Sequence, residues 1–407
     1  MVSEKICLAM AGMKVCIDTN TLHKIFAWLL LPAFILVSSP VAVAGMKNSL
    51  LDYFSGSYRE ARDKFLLSAA AAGARIESFQ HPHAGPDGMP LFIDVAVIGR
   101  DDADRILVLA SGTHGVEGFA GSAVQTGLLW EGIAGRILPG LKLVMIHAIN
   151  PYGFACLRRV NEDNVDINRN FVDHASPYPE NPGYERLADV IAPESLSLLN
   201  NARAYLELFL YRLAEGKKSL QAVLAQGQYL HPDGLFYGGN AVTWSAGTVQ
   251  DIARRYLSGA SRVVFIDIHT GLGSYGTAEV IINVPYGSDS YLQARRCWGQ
   301  RLKNTAGRES VSVDVRGPLR EEIPDLLSDA EVTAATLELG TYSTTEVFRA
   351  LRAENWQYHN GSDDVFGQDQ SRARLLEVFY PPDDEWRRSV WNEASAVVEE
   401  SLGCLQE

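Results

Sequence analysis

Three stretches of this chain are apolar at nearly every position: RILVLAS (105–111), KLVMIHAI (142–149) and RVVFIDI (262–268). A strand with one face in water alternates apolar with polar residues, so a run without alternation must be covered on both faces. That selects a largely parallel sheet, whose crossover connections lay helices on its two sides. With the β-branched runs at 74–80, 91–99, 278–285, 311–317 and 334–341, and with these three extended to 105–113, 142–149 and 262–269, eight strands are predicted. Helical patterns fall between them at 117–130, 193–215, 218–227, 246–258 and 288–307, and three more follow the last strand near 344–358, 369–378 and 384–402. The fold class is therefore α/β. The stretch 172–192, rich in proline, reads as a surface loop rather than a domain linker, because the sheet pattern resumes beyond it.

Residues 1–45 stand apart. Lys5, Lys14 and Lys24 precede an apolar run from Phe26 to Val37, which ends before Ala42-Val43-Ala44, the layout of a cleavable export signal. The run is too short, and broken by Pro32, for a membrane span. The competing reading is a start at Met46, which opens the amphipathic first helix of a soluble domain. The first reading predicts an exported protein and the second a cytoplasmic one. In both, 46–407 is a single catalytic domain.

Charge excludes one class of partner. With 36 Lys and Arg against 49 Asp and Glu, the net charge is −13, the wrong sign for a nucleic-acid binder. The five cysteines include no C-x-x-C pair, which suggests neither a disulfide scaffold nor a thiolate zinc cluster. Any metal would rest on histidine and carboxylate.

Such donors stand at the ends of two apolar strands. RILVLASG runs into Thr113-His114-Gly115-Val116-Glu117-Gly118, and RVVFID runs into Ile268-His269-Thr270-Gly271. Open α/β sheets bind ligands beyond the carboxyl ends of their strands. The i, i+3 offset brings His114 and Glu117 within reach of one ion, and His269 completes the His2Glu donor set of catalytic zinc, with a fourth position open to water. Either half alone is more simply a satisfied polar residue after a strand. Two further segments add weight. Arg158 and Arg159 precede VDINRNF (165–171), and such a cluster of Arg with Asn in an acidic protein suits a carboxylate, although solvated surface arginines are the bland alternative. Glu338 interrupts the apolar strand AATLELG (334–340), where a carboxylate is either expensively buried or faces a polar cleft as a general base.

The order THGVEG, NPYG, VDINRNF, DIHTG, LELGTY resembles the zinc carboxypeptidase superfamily, the M14 metallopeptidases, and SGTHGVEGFAGS looks like its DUF2817 branch. The resemblance spans nearly all of 46–407. It implies a mixed eight-stranded sheet between helices and one zinc ion per chain on His114, Glu117 and His269, with Glu338 as catalytic base. Asp166 would accept the other ring N–H of His114, Asn168 and Arg169 would bind a substrate carboxylate, and Arg159, or alternatively Arg158, would polarise the scissile carbonyl. The substrate implied is a small peptide or N-acyl amino acid with a free carboxylate; no obligate protein partner is implied. Two departures stand out. The family's specificity tyrosine has only Tyr275 and Tyr342 as candidates, and a long helical insertion, near 193–258, could roof the cleft.

GLGSYG (271–276) has dinucleotide-turn spacing, but a strand rather than a helix follows it. No G-x-S-x-G elbow is present. His81 and His83 read as loop residues and His147 as a core histidine. Three functions remain: a zinc hydrolase cutting an amide beside a free carboxylate, a deacylase of N-acyl amino acids, and a zinc-dependent binding protein without catalysis. Retention of Glu338 counts against the third.

Overall fold

The computed structural model describes residues 5–10, 13–18, 49–307, 309–361 and 365–406. The chain divides into two units, residues 1–46 and 47–407. In the first, Lys5–Met10 (β1) pairs antiparallel with Met13–Asp18 (β2). The apolar run from Phe26 and the Ala-Val-Ala site lie outside the described residues.

The second unit opens with helix α1 (Tyr58–Ala71), then strands β3 (Arg75–Ala84), β4 (Pro90–Gly99) and β5 (Arg105–Ser111). Helix α2 (Gly118–Trp130), β6 (Leu141–His147) and the short α3 (Pro151–Ala155) follow. Four helices come next: α4 (Pro182–Ile191), α5 (Leu198–Glu215), α6 (Lys217–Ala225) and α7 (Trp244–Leu257). The chain then returns to the sheet with β7 (Arg262–Thr270) and β8 (Ala278–Ile282), passes through α8 (Asp289–Trp298) to β9 (Leu302–Asn304), and through α9 (Leu319–Leu326) to β10 (Glu331–Leu339). It ends in α10 (Thr344–Asn360), α11 (Val365–Phe379) and α12 (Asp384–Gln406).

Strands β3 to β10 form one eight-stranded sheet in the order β3-β4-β6-β5-β7-β10-β8-β9. Its centre, β6-β5-β7-β10, is parallel, while β3, β4 and β8 make the antiparallel pairings. This is the mixed sheet expected. Strand alternation divides the side chains between two cores. Leu107, Leu109, Val264, Ile266, Ile268, Leu337 and Leu339 pack with α1, α2 and α12 on one face. Ile106, Val108, Ala110, Val263 and Phe265 pack with α7 and α9 on the other. A third core joins α4, α5 and α6 to α10 and α11, and includes Val116, the residue before Glu117.

Several expectations are corrected. The run 311–317 is not a strand; the eighth strand is the short Leu302–Asn304. Val313 and Val315 do turn inward, but the backbone here finds partners on α6 and its C-cap instead of a ladder: Lys218 and Gln221 side chains bond the carbonyls of Ser310 and Val311, and Arg316 N–H donates to Gln226 O, the residue after the helix. Within the expected loop 172–192 lies α4, started by Pro182 at its first turn and capped by Asn181, whose side chain accepts from Tyr184 N–H. His81 is not a loop residue; it sits buried in β3, 3.2 Å from Glu162, with its ring edge-on to Trp244. Cysteine spacing pairs nothing, yet the fold joins Cys297 on α8 to Cys404 on α12 in a disulfide.

Candidate metal centre

From β5 the chain passes through α2 to β6 on one side, while β7 lies on the other. The carboxyl ends of β5 and β7 therefore flank a switch point, where a sheet of this kind opens a crevice. His114 stands three residues beyond the end of β5, and Glu117 comes one 3-10 turn later. Gly115 permits the fit, because a Cβ there would stand 2.1 Å from the carbonyl carbon of Gly153. Its N–H instead donates to Arg159 O at 3.1 Å, which holds the arginine segment beside His114.

On β7, Val263 and Phe265 face the α7 side of the sheet, so period-two geometry puts Asp267 and His269 on that side as well. On β10 the same rule sends Leu337 and Leu339 to the opposite core and leaves Thr336 and Glu338 beside Asp267 and His269. The sheet's carboxyl edge thus carries a polar corner set into an apolar face.

Three donors converge in that corner. His114 Nδ1 lies 2.8 Å from Glu117 Oε1 and 3.1 Å from His269 Nδ1, and His269 Nδ1 lies 3.0 Å from Glu117 Oε2. Among the described residues they form a group able to hold a metal ion. Ligand atoms at the usual zinc distances are separated tetrahedrally by about 3.3 Å, close to these spacings. Each histidine is oriented from behind. His114 Nε2 faces Asp166 Oδ1 at 3.0 Å and Arg159 Nη2 at 2.7 Å, and His269 Nε2 faces Asp267 Oδ2 at 2.6 Å, an arrangement that leaves the His269 Nδ1 as the metal-facing donor. Thr113 Oγ1 donates to the second carboxylate oxygen of Asp267 at 2.8 Å. The role of Asp267 escaped the sequence reading, although D-I-H on one strand already places both side chains on one face.

Electrostatics follow from the burial of all these groups. Burial by itself would raise Asp166, but Arg159, Arg169 and His114 hold it well below the usual carboxylate range. Burial likewise opposes the charge on Glu117, and the two histidines overcome it, leaving that carboxyl low. Glu338 behaves oppositely. Burial and the neighbouring Glu117 push it up to about 8, against the weaker pull of His269, the Leu272 N–H and Arg159. Gly271, at φ +130°, turns the chain so that Leu272 N–H reaches Glu338 Oε1 at 2.8 Å.

The arginine cluster divides. Arg159 reaches the corner, paired to Asp166 and 3.8 Å from Glu117. Arg158 does not: it is fully buried, bound to Glu354 at 2.6 Å and to Asn164 at 2.9 Å, and stacked over Tyr358. Asn168 and Arg169 find partners within the chain. Asn168 Oδ1 accepts from Leu319 N–H at 2.9 Å, and Arg169 donates from Nε and Nη2 to Ala225 O and from Nη1 to Asn168 O. Tyr275 and Tyr342 stand together, rings 5.9 Å apart, with the Tyr275 hydroxyl donating to Asp383.

The profile of the family described as "Protein of unknown function (DUF2817)" matches residues 54–393. The chain belongs to this family. No curated protein matches it. Similar solved structures include bovine thrombin-activatable fibrinolysis inhibitor in complex with tick carboxypeptidase inhibitor, at 14% identity over 85% of this chain and 98% of that one, with TM-score 0.41. Carboxypeptidase A from Helicoverpa armigera shares 12% identity over 89% and 83%, with TM-score 0.43. A succinylglutamate desuccinylase from a Silicibacter species shares 12% over 75% and 65%, with TM-score 0.36. At such identities and scores these likenesses carry no chemistry across, and the chemistry of this DUF2817 chain rests on its own side chains.

Proposed function

We propose that this DUF2817 protein is a zinc-dependent hydrolase that cleaves an amide bond adjacent to a free carboxylate. The observation that carries the reading is the convergence of His114 Nδ1, His269 Nδ1 and the Glu117 carboxylate within 2.8–3.1 Å of one another, with Glu338 on the neighbouring strand of the same sheet face. Two imidazole nitrogens and a carboxylate, each histidine backed by an aspartate, suit zinc by donor chemistry. When bound, zinc would supply Lewis acidity, which lowers the pKa of water and polarises a carbonyl. The chain's own groups would do the rest. Glu338 takes the proton of an attacking water and delivers it to the leaving nitrogen. Arg159, close to Glu117 and held by Asp166, supplies positive charge where a carbonyl oxygen becomes negative.

A deacylase of N-acyl amino acids is the second reading, favoured by one observation. The core built from α4, α5, α6, α10 and α11 closes over Val116 beside the metal group, and His114, Glu117, His269 and Glu338 are all buried. That enclosure suits a small acyl amino acid better than a long peptide. A panel of N-acyl amino acids and C-terminal dipeptides, offered to zinc-loaded protein, separates the readings. No turnover on any member, with zinc bound, would leave only a binding function.

We also propose that the protein is exported. The signal-like layout of residues 1–45 motivates this, and the Cys297–Cys404 pair supports it, since such bonds persist in oxidising compartments. Cell fractionation checks it: a product confined to the cytoplasm, beginning at Met46, would end this reading.

A further inference from the structure

Helix α9 starts where Leu319 N–H is held by Asn168, and its next residue, Arg320, passes beneath the same sheet face that carries the metal group. Leu319 and Ile323, on either side of it, belong to the core on that face. Arg320 is 5% exposed. Its guanidinium makes one long contact, Nη1 to Thr336 Oγ1 at 3.4 Å, while Nε and Nη2 have no hydrogen-bond partner among the described residues. The nearest carboxylate, that of the partly exposed Glu321, stands 3.6 Å from Nη2, beyond hydrogen-bond reach.

A buried guanidinium with idle donors is an expensive arrangement unless something arrives to accept from them. Arg169, by contrast, has every nitrogen engaged by backbone carbonyls. The location of Arg320 fits a ligand role. Thr336 pairs with Asp267 across the β7–β10 ladder, two residues before Glu338 pairs with His269. Two residues along a strand span about 7 Å, so Thr336, which the Arg320 fork touches, lies about one amino-acid length along β10 from Glu338. Burial draws the Arg320 pKa below its ordinary value, against the pull of Glu321, Asp314, Asp267 and Glu338.

We propose that Arg320 is the anion-binding residue of this cleft, taking the carboxylate of the leaving amino acid while Arg169 holds the helical insertion in place. The proposal rests on the hydrolase reading for its substrate but is tested by binding alone. The probes are 3-phenylpropanoate and its neutral amide, titrated calorimetrically against the zinc-loaded full chain, Arg320→Met and Arg169→Met. A bidentate charge-assisted contact implies ten- to a hundredfold tighter binding of the carboxylate than of the amide by the native protein. Arg320→Met should erase that preference, and Arg169→Met, where it folds, should keep it. Equal affinity of the native protein for both probes would overturn the proposal even if no variant folds. Undiminished carboxylate preference in folded Arg320→Met would overturn it as well. Failure of the hydrolase reading would look different: no turnover on acyl amino acids, with Arg320-dependent binding intact.

Discussion

Glu338 and His269 are direct partners across the parallel ladder of β10 and β7, two positions beyond the pair Thr336 and Asp267. The proposed base and a proposed metal ligand are therefore spaced by the sheet itself and not by a loop. Both residues point to the face shared with α7 and α9, and each interrupts an apolar run whose alternate members, Ile268 and Leu337, serve the opposite core.

This arrangement makes Asp267 testable. Its carboxylate accepts from His269 Nε2 at 2.6 Å and from Thr113 at 2.8 Å, fixing the tautomer that leaves Nδ1 free for a metal. Asp267→Asn should weaken zinc about ten- to a hundredfold without unfolding the chain. Competition with a chromophoric chelator measures it, and unchanged affinity would reduce Asp267 to a packing residue. His114→Ala and His269→Ala should lose zinc outright by elemental analysis.

The buried pair Arg158–Glu354 predicts a structural phenotype. Arg158 is fully buried between Glu354, Asn164 and the Tyr358 ring. Arg158→Met leaves a buried carboxylate unpaired and should cost about 3–5 kcal/mol in a denaturant titration, while adding Glu354→Leu should recover much of that. A purely additive loss in the double variant would contradict the pairing.

His147 gives the fold an acid limit. It is fully buried, stacked on Phe65 and bound to Ser122 Oγ at 2.9 Å, and burial lowers its pKa to about 4, with Asp94 opposing. As pH falls from the ordinary 6.5 towards 4, the unfolded chain takes up a proton that the folded chain refuses. Stability is therefore present above 6.5 and declines below it, by up to about 3 kcal/mol. His147→Gln should show a flatter stability profile over that interval, measured by urea midpoints at successive pH values.

Much of this is legible in the sequence alone, and the reason is periodicity. Unalternating runs identified the central strands, and an acid or histidine breaking such a run marked Glu338 and His269. What stayed hidden depended on contacts distant in sequence. No local rule says that VSVDV would bond to α6 rather than join the sheet, or that Arg158 would turn to Glu354, 196 residues away, while its neighbour Arg159 turned to Asp166. Arg320 carries no sequence mark at all; only its burial beside Thr336 singles it out.

The sharpest expectation concerns Glu338. Its carboxyl is pushed up to about 8, first by burial and then by Glu117. In metal-free protein the sign is unfavourable: between the ordinary 4.5 and about 8 the unfolded chain ionises while the folded chain retains the proton, so stability falls as pH rises through that interval. Glu338→Gln removes the penalty. In chelator-treated samples the variant should match the native protein near pH 4.5 and exceed it at pH 8 by a few kcal/mol. A bound dication would reverse the pressure, drawing the carboxyl down and expelling its proton, so zinc binding near pH 7 should release more protons from the native chain than from the variant. Turnover should fall at least about a hundredfold in zinc-loaded Glu338→Gln, because the attacking water then has no group to take its proton. Normal turnover there would remove Glu338 as the base. Equal pH profiles of stability would instead mean that its carboxyl is not held protonated by the fold.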